Sequence, residues 1–595
     1  MPKTSNYHKM KTIQLKKRGG SFLVNPTDIN SFYTPEFMSE EAKMMHEAGE
    51  AFLVNEIERD LDLMESPEAI PLGPGLIRKC GELGFLGLEV SEEYGGMDMS
   101  FKDVLHFTAT MSKGYSFTGA LGVQTSIGIA PILLYGSSYI KDKYLSKMIS
   151  GELLSAFALT EPNAGSDANS GKTKAIIDNN GDYKITGQKA WISNAGIADI
   201  FIVFAKIEND NNLSAFVVEK NFGGITIGPE EKKMGFSGWS TCQVFFDNVK
   251  VPKEQLLGER NKGLKIGLNT LNTGRIKLGA SSVGVGRKVI QHAKDYAKQR
   301  EQFGKSISSF GAIKDKLAKM QAYVFATESA VFRLANDIDM LREDFISEGQ
   351  RFSEAKINSL KEFSVESAIV KVYGSEAQDY ILDQGVQIYG GMGFSADCPV
   401  ERMYRSLRIS RIYEGTNEIN RLVIIKEFVK KGLKGELDVM SPFSKIYAQL
   451  NEELEIFSND ELEKYEQLTD NLKSLGILVA GICLQRFMQE LEEQQEISMH
   501  ISDILIQVYV LESTLLRIQK LSLENVLNDR LHLAYLKIIS FDAFSNISKS
   551  LNEIVTSFDF ENEASDIIKA KLKYLKFPHT NIKESRRFLA NYILD

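Results

Sequence analysis

Cysteine is scarce: Cys80, Cys242, Cys398 and Cys483 are the only four in 595 residues, lie far apart and form no C-x-x-C pair. That excludes a disulfide framework and fits a reducing compartment. The seven histidines show no H-E-x-x-H or comparable spacing, so no metal site is expected. The longest apolar run, Leu475–Leu484, is about half of the roughly 20 residues needed to cross a bilayer. Nothing resembles a signal peptide. The first residues carry Lys3, Lys9, Lys11, Lys16, Lys17 and Arg18 without an acid, but they are Lys-rich and lack an apolar helical face. They read as a basic flexible tail over residues 1–30 of a cytoplasmic protein. Positive charge is in deficit overall, 70 Lys and Arg against 79 Asp and Glu, and a net charge of −9 argues against a general nucleic-acid binder.

The chain is longer than a single core supports, so several domains are expected. Residues 31–154 carry helical periodicity, as in Ala51, Phe52, Val54, Ile57 and Leu61. Within them T-G-A-L-G (118–122) places two glycines in an apolar helix, which costs stability and implies a close approach by another group. At Ser155 the period changes to two: Ser155–Thr160, Lys172–Ile177, Tyr183–Ile185, Ile200–Ala205, Ser214–Glu219 and Gln243–Phe246 read as strands, with N-N-G-D (179–182) as a hairpin turn. Residues 155–261 are therefore an antiparallel β domain. Long helices over Ile276–Gln299, Gly311–Leu341 and Leu360–Tyr389 make 262–431 a helical bundle. Residues 432–595 form a further helical domain, with N-D-E-L (459–462) and S-L-E-N (522–525) as helix starts. The fold class is mainly α with a central antiparallel β domain.

Chemistry concentrates in five stretches. R-I-Y-E-G-T-N-E-I-N-R-L (411–422) puts Glu414 on a tight turn ahead of a helix, with Thr416 or Asn417 as N-cap and Glu418 in the first turn. F-A-L-T-E-P-N-A-G-S-D-A-N-S (157–170) leaves a strand into a loop rich in backbone donors and hydroxyls, suited to a polar cofactor. G-Q-K-A-W-I-S-N-A-G (187–196) sets Trp191, one of two tryptophans, beside Ser193, a pairing that suits a flat heteroaromatic ring or a plain core tryptophan. R-E-Q-F-G (300–304) ends a helix with an arginine that grips a phosphate or caps the helix. Q-I-Y-G-G-M-G-F (387–394) follows a helix, so its glycines are not a dinucleotide fingerprint, yet they admit a ligand close to the backbone.

In this order and spacing the stretches resemble the acyl-CoA dehydrogenase family over about Phe32 to Val429. T-E-P-N-A-G-S-D matches its first signature, Q-I-Y-G-G-M-G-F its second, and Y-E-G-T closes the set. The C-terminal extension, E-K-K-M-G (231–235) and L-N-T-G-R (271–275) resemble the very-long-chain subgroup. The resemblance implies FAD as cofactor, since no side chain accepts hydride. It implies α,β-dehydrogenation of a fatty, in expectation long-chain, acyl-CoA with Glu414 as the α-proton base. It places Gly415 at the thioester carbonyl, and Phe157, Leu159, Thr160 and Ser166 near the flavin edge and the CoA chain. Trp191, Ile192 and Ser193 fall against the isoalloxazine, and Asn272 and Arg275 (with Ser166) at the acyl-CoA. Arg300, Gln302, Gln387, Gly390 and Gly391 would reach the FAD of a neighbouring subunit, and Thr416 and Glu418 its pyrophosphate side. A homo-oligomer is therefore expected, with a dimer favoured, and electron-transfer flavoprotein as electron acceptor.

Some family members carry the base one residue before Arg275; here that residue is Gly274. Three features depart from or extend the pattern. The last acidic position of the second signature is Ser406, which removes an ion pair and leaves the chemistry intact. Gly432–Leu454 is short and mixed in charge where relatives carry a basic amphipathic stretch, so membrane docking is not expected. Gly119 and Gly122 fall where long-chain members keep small residues to deepen the acyl pocket. The rival readings are a dehydrogenase or oxidase for short, branched or aryl acyl groups, and a non-catalytic assembly factor on the same fold.

Overall fold

The computed structural model describes residues 17–454, 456–558 and 561–595. The N-terminal helices are α1 (Glu40–Phe52), α2 (Gly73–Glu82), α3 (Phe101–Met111), α4 (Tyr115–Gly122) and α5 (Ser138–Ile149). Ser100 starts α3, its hydroxyl accepting from Asp103 N–H at 3.3 Å. α4 runs on without a break through Val123–Ile129 to Tyr135. This composite stretch, Tyr115–Tyr135, is long and apolar enough to cross a bilayer, but two-thirds of its most apolar window is buried in the fold.

Eight strands follow: β1 (Ser155–Ala158), β2 (Lys174–Ile177), β3 (Tyr183–Ser193), β4 (Ile200–Ile207), β5 (Ser214–Glu219), β6 (Ile225–Glu230), β7 (Thr241–Val251) and β8 (Leu256–Leu257). Their order is β6-β7-β3-β2-β4-β5-β8, with β1 beside β4. The sheet is mixed and not antiparallel throughout, because β1 and β2 both run parallel to β4. Alternating side chains reveal which face a residue occupies and say nothing of strand direction. The turn at 179–182 does close the β2–β3 hairpin, with Asp178 Oδ1 accepting from Asn180 and Asp182 N–H.

The bundle comprises α6 (Gly263–Gln299), α7 (Gly311–Ser347), α8 (Phe352–Glu362), α9 (Ser364–Tyr389) and α10 (Asn417–Leu433). The single helix expected over Leu360–Tyr389 is broken at Phe363, which separates α8 from α9. Beyond it lie α11 (Glu463–Phe487), α12 (Gln495–Leu523), α13 (Asp529–Thr556), α14 (Glu561–Tyr574) and α15 (Ile582–Leu594). S-L-E-N ends α12 instead of starting a helix: Asn525 takes a left-handed φ of +56°, and Asn528 caps α13 by accepting from Leu531 N–H at 3.2 Å.

The extension shares one apolar core with the bundle, Leu472, Ile504 and Tyr509 packing in the cluster that holds Phe332 and Val370. Buried ion pairs cross the same boundary: Arg333 to Glu512 at 2.9 Å and Arg517 to Glu328 at 2.9 Å. Removing one partner of such a pair leaves a buried charge, so these contacts fix how the extension seats.

The tail expected over residues 1–30 is docked from Lys17 onward. Gly19 and Gly20 N–H donate to Glu362 and Glu366 at 3.1 and 2.6 Å, and Phe22 and Leu23 are buried against the extension. The segment is too short to show a period, so its anchoring was invisible in the sequence. The remainder of that expectation, residues 1–16, lies outside the described residues.

Candidate active site

Glu414 is the one residue of its turn held in a left-handed backbone conformation without being glycine, at φ +58°, followed by Gly415 at +82°. Such a conformation costs roughly 1–3 kcal/mol for a side-chain-bearing residue and persists only where the surroundings impose it. Here they do. Arg275 Nε donates to the Glu414 carbonyl at 3.0 Å, and Lys371 Nζ to the Gly415 carbonyl at 2.8 Å. Asn420 Nδ2 donates to the Gly415 and Thr416 carbonyls at 2.7 and 3.0 Å. Arg275 is itself oriented by Asn272 Oδ1 at 3.0 Å.

With its backbone pinned, Glu414 projects its carboxyl into the gap left by Gly274. A Cβ at residue 274 would stand 2.7 Å from the Glu414 Cδ and from both oxygens. Glu414 Oε2 is buried without a hydrogen-bond partner among the described residues. Burial pushes the carboxyl up to about 7, against the opposing pull of Arg275 and Lys371. The Glu414 and Gly415 N–H groups also donate to no acceptor among the described residues.

Glu414 faces a cavity, part of it open to solvent, bounded by α3, α4, α6 and the Phe236–Trp239 loop. Residues 273, 274, 277, 278, 281 and 285 of α6 line it, so it follows that helix for about 18 Å at 1.5 Å per residue. The walls are mainly apolar, including Phe107, Met111, Leu121, Leu133 and Val285. Both glycines expected to deepen it line it, and a Cβ at Gly122 would meet nothing within 4 Å. Gly119 has another reason: the Trp239 ring packs on it, and a Cβ would come within 2.4 Å of the indole. Trp239 is locked there by its Nε1–H on Asn194 Oδ1 at 2.9 Å.

The residues expected at the flavin fall into two groups. β1 delivers Leu159 and Thr160 beside β3, where the Thr160 carbonyl accepts from Ala190 N–H at 3.0 Å and Lys189 Nζ donates to the Leu159 carbonyl at 3.1 Å. Trp191, left-handed at φ +59°, is 58% exposed next to half-buried Ser193, which lines the cavity of Glu414. A large aromatic face left open beside a hydroxyl and a cavity fits a flavin ring. Ile192 is buried in the sheet, so only its backbone can face a ligand, whereas Phe157 is half-buried with its ring 4.9 Å from Phe204. Ser166 is exposed in the loop beyond.

The second group sits elsewhere. Arg300 and Gln302 at the end of α6, and Gln387, Gly390 and Gly391 at the end of α9, are all exposed and none lines the cavity. The two helix ends are neighbours, joined by Tyr296 and Tyr389 stacked at 4.2 Å. Phe303 and Phe394 beside them are each 92% exposed.

Thr416 is the N-cap, its hydroxyl accepting from Ile419 N–H at 3.2 Å, with exposed Glu418 in the first turn. Asn417 instead bonds Lys371 and Ser375. Thr416→Ala is expected to cost about 1 kcal/mol, read as a lower denaturant midpoint at unchanged slope. Ser406, lacking the carboxylate of the signature, accepts from Phe236 N–H at 2.9 Å and donates to Glu65 at 3.5 Å, so a carboxylate from elsewhere reaches this position.

Sequence reading missed Lys371 and Trp239. A lone lysine within V-E-S-A-I-V-K-V-Y-G (365–374) was the available signal for the first, since a buried cation needs partners. Burial and the neighbouring Arg275 lower Lys371 to about 8.

Comparison with known proteins bears on the whole arrangement. Family models match the acyl-CoA dehydrogenase N-terminal domain over residues 39–152, the middle domain over 156–249 and the C-terminal domain over 261–429. A further acyl-CoA dehydrogenase C-terminal domain model matches 471–576. A probable acyl-CoA dehydrogenase of Bacillus subtilis is 36% identical over 97% of this chain and 98% of its own length. The human mitochondrial very long-chain specific acyl-CoA dehydrogenase is 42% identical over 58% of this chain and 51% of its own. A crystal structure of an acyl-CoA dehydrogenase complexed with FAD from Bacillus anthracis superposes with a TM-score of 0.92 at 37% identity, covering 97% and 99% of the two chains.

Proposed function

The chain belongs to the acyl-CoA dehydrogenase family as an FAD-dependent member with a C-terminal helical extension, and from that premise we propose that it oxidises long-chain acyl-CoA to trans-2-enoyl-CoA with Glu414 as base. The observation that carries the reading is the Glu414 carboxyl: buried, unpaired at Oε2, raised to about 7, and facing an apolar cavity.

An α-proton of a thioester is a weak acid, so the base must be near-neutral in pKa and held at the substrate carbon. Arg275, Lys371 and Asn420 fix the backbone of the base, and Gly274 leaves room for its carboxyl. The free N–H groups of Glu414 and Gly415 supply donors for the thioester oxygen as negative charge develops there. Arg275 and Lys371 lie close enough to stabilise the ionised carboxylate before it takes the proton. Trp191 and Ser193 would hold the flavin ring, and FAD would supply there the acceptor for the β-hydride. Trp239 and Gly122 shape the wall that receives the acyl chain. The 18 Å run of cavity along α6 supports a long chain over a short one.

Arg300, Gln302, Gln387, Gly390 and Gly391, exposed at one end of the bundle, are assigned to the FAD of a second copy, with electron-transfer flavoprotein as acceptor. In steady-state assays kcat/KM is expected to rise with acyl chain length; a maximum at four carbons would contradict the long-chain assignment.

The pH dependence follows from the sign of the shift. Glu414 must be ionised to accept a proton, and its carboxyl sits above the ordinary carboxylate range. The kcat/KM of the free enzyme should therefore reach half its plateau at a pH of about 7 and fall about tenfold per pH unit below that. A profile already flat at pH 5 would show that the carboxyl is not raised.

A further inference from the structure

The mainly apolar cavity carries one charged cluster. Where the loop after α2 meets α6 and α8, Glu89 lies between two lysines: Lys277 pairs with Oε2, and Lys356 Nζ lies 3.0 Å from Oε1. All three residues line the cavity, and Lys277 and Lys356 are only 7% and 6% exposed. Although burial opposes its charge, the two ammonium groups hold the Glu89 carboxyl down at about 2, so it is ionised. Two cations thus share one anion, a net charge of +1 inside the fold. Neither ammonium has a second acceptor among the described residues, and each carries three N–H donors. Lys277 stands three residues beyond Gly274, so the cluster lies about one helical turn further along α6 than the Glu414 carboxyl.

A clamp joining α6, α8 and the 87–90 loop would need only one lysine per carboxylate. The second leaves a cation without an anion of its own and unused donors on the wall of a mainly apolar cavity, an arrangement disfavoured unless an anion arrives. The methyl end of a fatty chain offers nothing to it. A carboxylate accepts from both ammonium groups in charge-assisted hydrogen bonds and balances the charge.

We propose that Lys277 and Lys356, bridged by Glu89, form an anion subsite within the acyl cavity, and that this protein takes acyl-CoAs whose chain bears a second, distal carboxylate. The proposal rests on the reading of the cavity as the acyl site. The carboxylate lies away from the carbons that react, so the subsite contributes to binding and register and leaves the bond changes as described.

The test uses matched pairs of acyl-CoAs, methyl-ended and ω-carboxylated, over a series of increasing chain lengths with the FAD-loaded protein. At one spacing the ω-carboxylated member should be preferred in kcat/KM by about tenfold or more. Lys277→Met and Lys356→Met each leave Glu89 paired with the remaining lysine, so the fold keeps a balanced pair. Each should bring the ratio towards one by raising KM for the carboxylated substrate, with kcat little changed. Titration of the same pairs against the Glu414→Gln holoprotein gives the preference as a ratio of Kd values, measurable with or without turnover. Equal values for both members at every length, or a preference that survives both lysine substitutions, would overturn the subsite. Failure of the dehydrogenase reading is a different result: no acyl-CoA of either kind reduces the flavin.

Discussion

Glu414→Gln is expected to lower the rate of flavin reduction by acyl-CoA by about 10^2- to 10^4-fold, while the protein still folds, retains FAD and binds substrate. Glutamine keeps the size of the side chain and removes only the proton acceptor. The backbone that positions it is held through carbonyl groups, by Arg275, Lys371 and Asn420, and none of these contacts uses the carboxylate. The neutral amide also removes a charge that burial disfavours, so stability above pH 7 should rise slightly if it moves at all. Circular dichroism and the flavin spectrum check the fold; stopped-flow absorbance checks the rate. Loss of FAD or of the fold, in place of loss of rate, would mean that Glu414 is structural.

Gly274→Ala is expected to cost about 100-fold in kcat, although alanine is the smallest change available. The new methyl carbon would lie 2.7 Å from the Glu414 Cδ and both oxygens, and no real contact is that short. Because the base sits on a pinned, left-handed backbone, it cannot retreat by a backbone shift. The carboxyl must rotate away from the substrate carbon, and a displacement of about 1 Å is enough for a loss of this size. Single-turnover rates should fall while the Kd for acyl-CoA changes little. An unchanged rate would show that the carboxyl has room the structure does not indicate.

The turn at Glu414 and its cap at Thr416 were legible because capping is local chemistry: a hydroxyl, a following N–H and an apolar run are enough. The hairpin at 179–182 was legible for the same reason. What stayed hidden depends on partners distant in sequence. Strand directions in the β domain are set by which strands become neighbours, so the parallel pairs of β4 left no trace in alternation. Gly119 reads as pocket-deepening, but its second role, admitting the Trp239 ring 120 residues on, has no local signal. Gly274 was noted as an absent alternative base, whereas its steric role requires knowing that Glu414 faces it. The docking of residues 17–24 depends on Glu362 and Glu366 collecting their N–H groups, contacts across more than 340 positions.

The central claim is that this cavity presents a saturated acyl-CoA to Glu414 for α-proton removal coupled to flavin reduction. It is tested most directly by mixing the FAD-loaded protein anaerobically with long-chain acyl-CoA, either undeuterated or deuterated at Cα, and following the visible flavin band. Rapid bleaching, slowed by Cα deuteration and slowed by about 10^2-fold or more in Glu414→Gln, is the predicted result. A flavin that stays oxidised with saturated acyl-CoAs of every length, or bleaching that persists at full rate in Glu414→Gln, would contradict it.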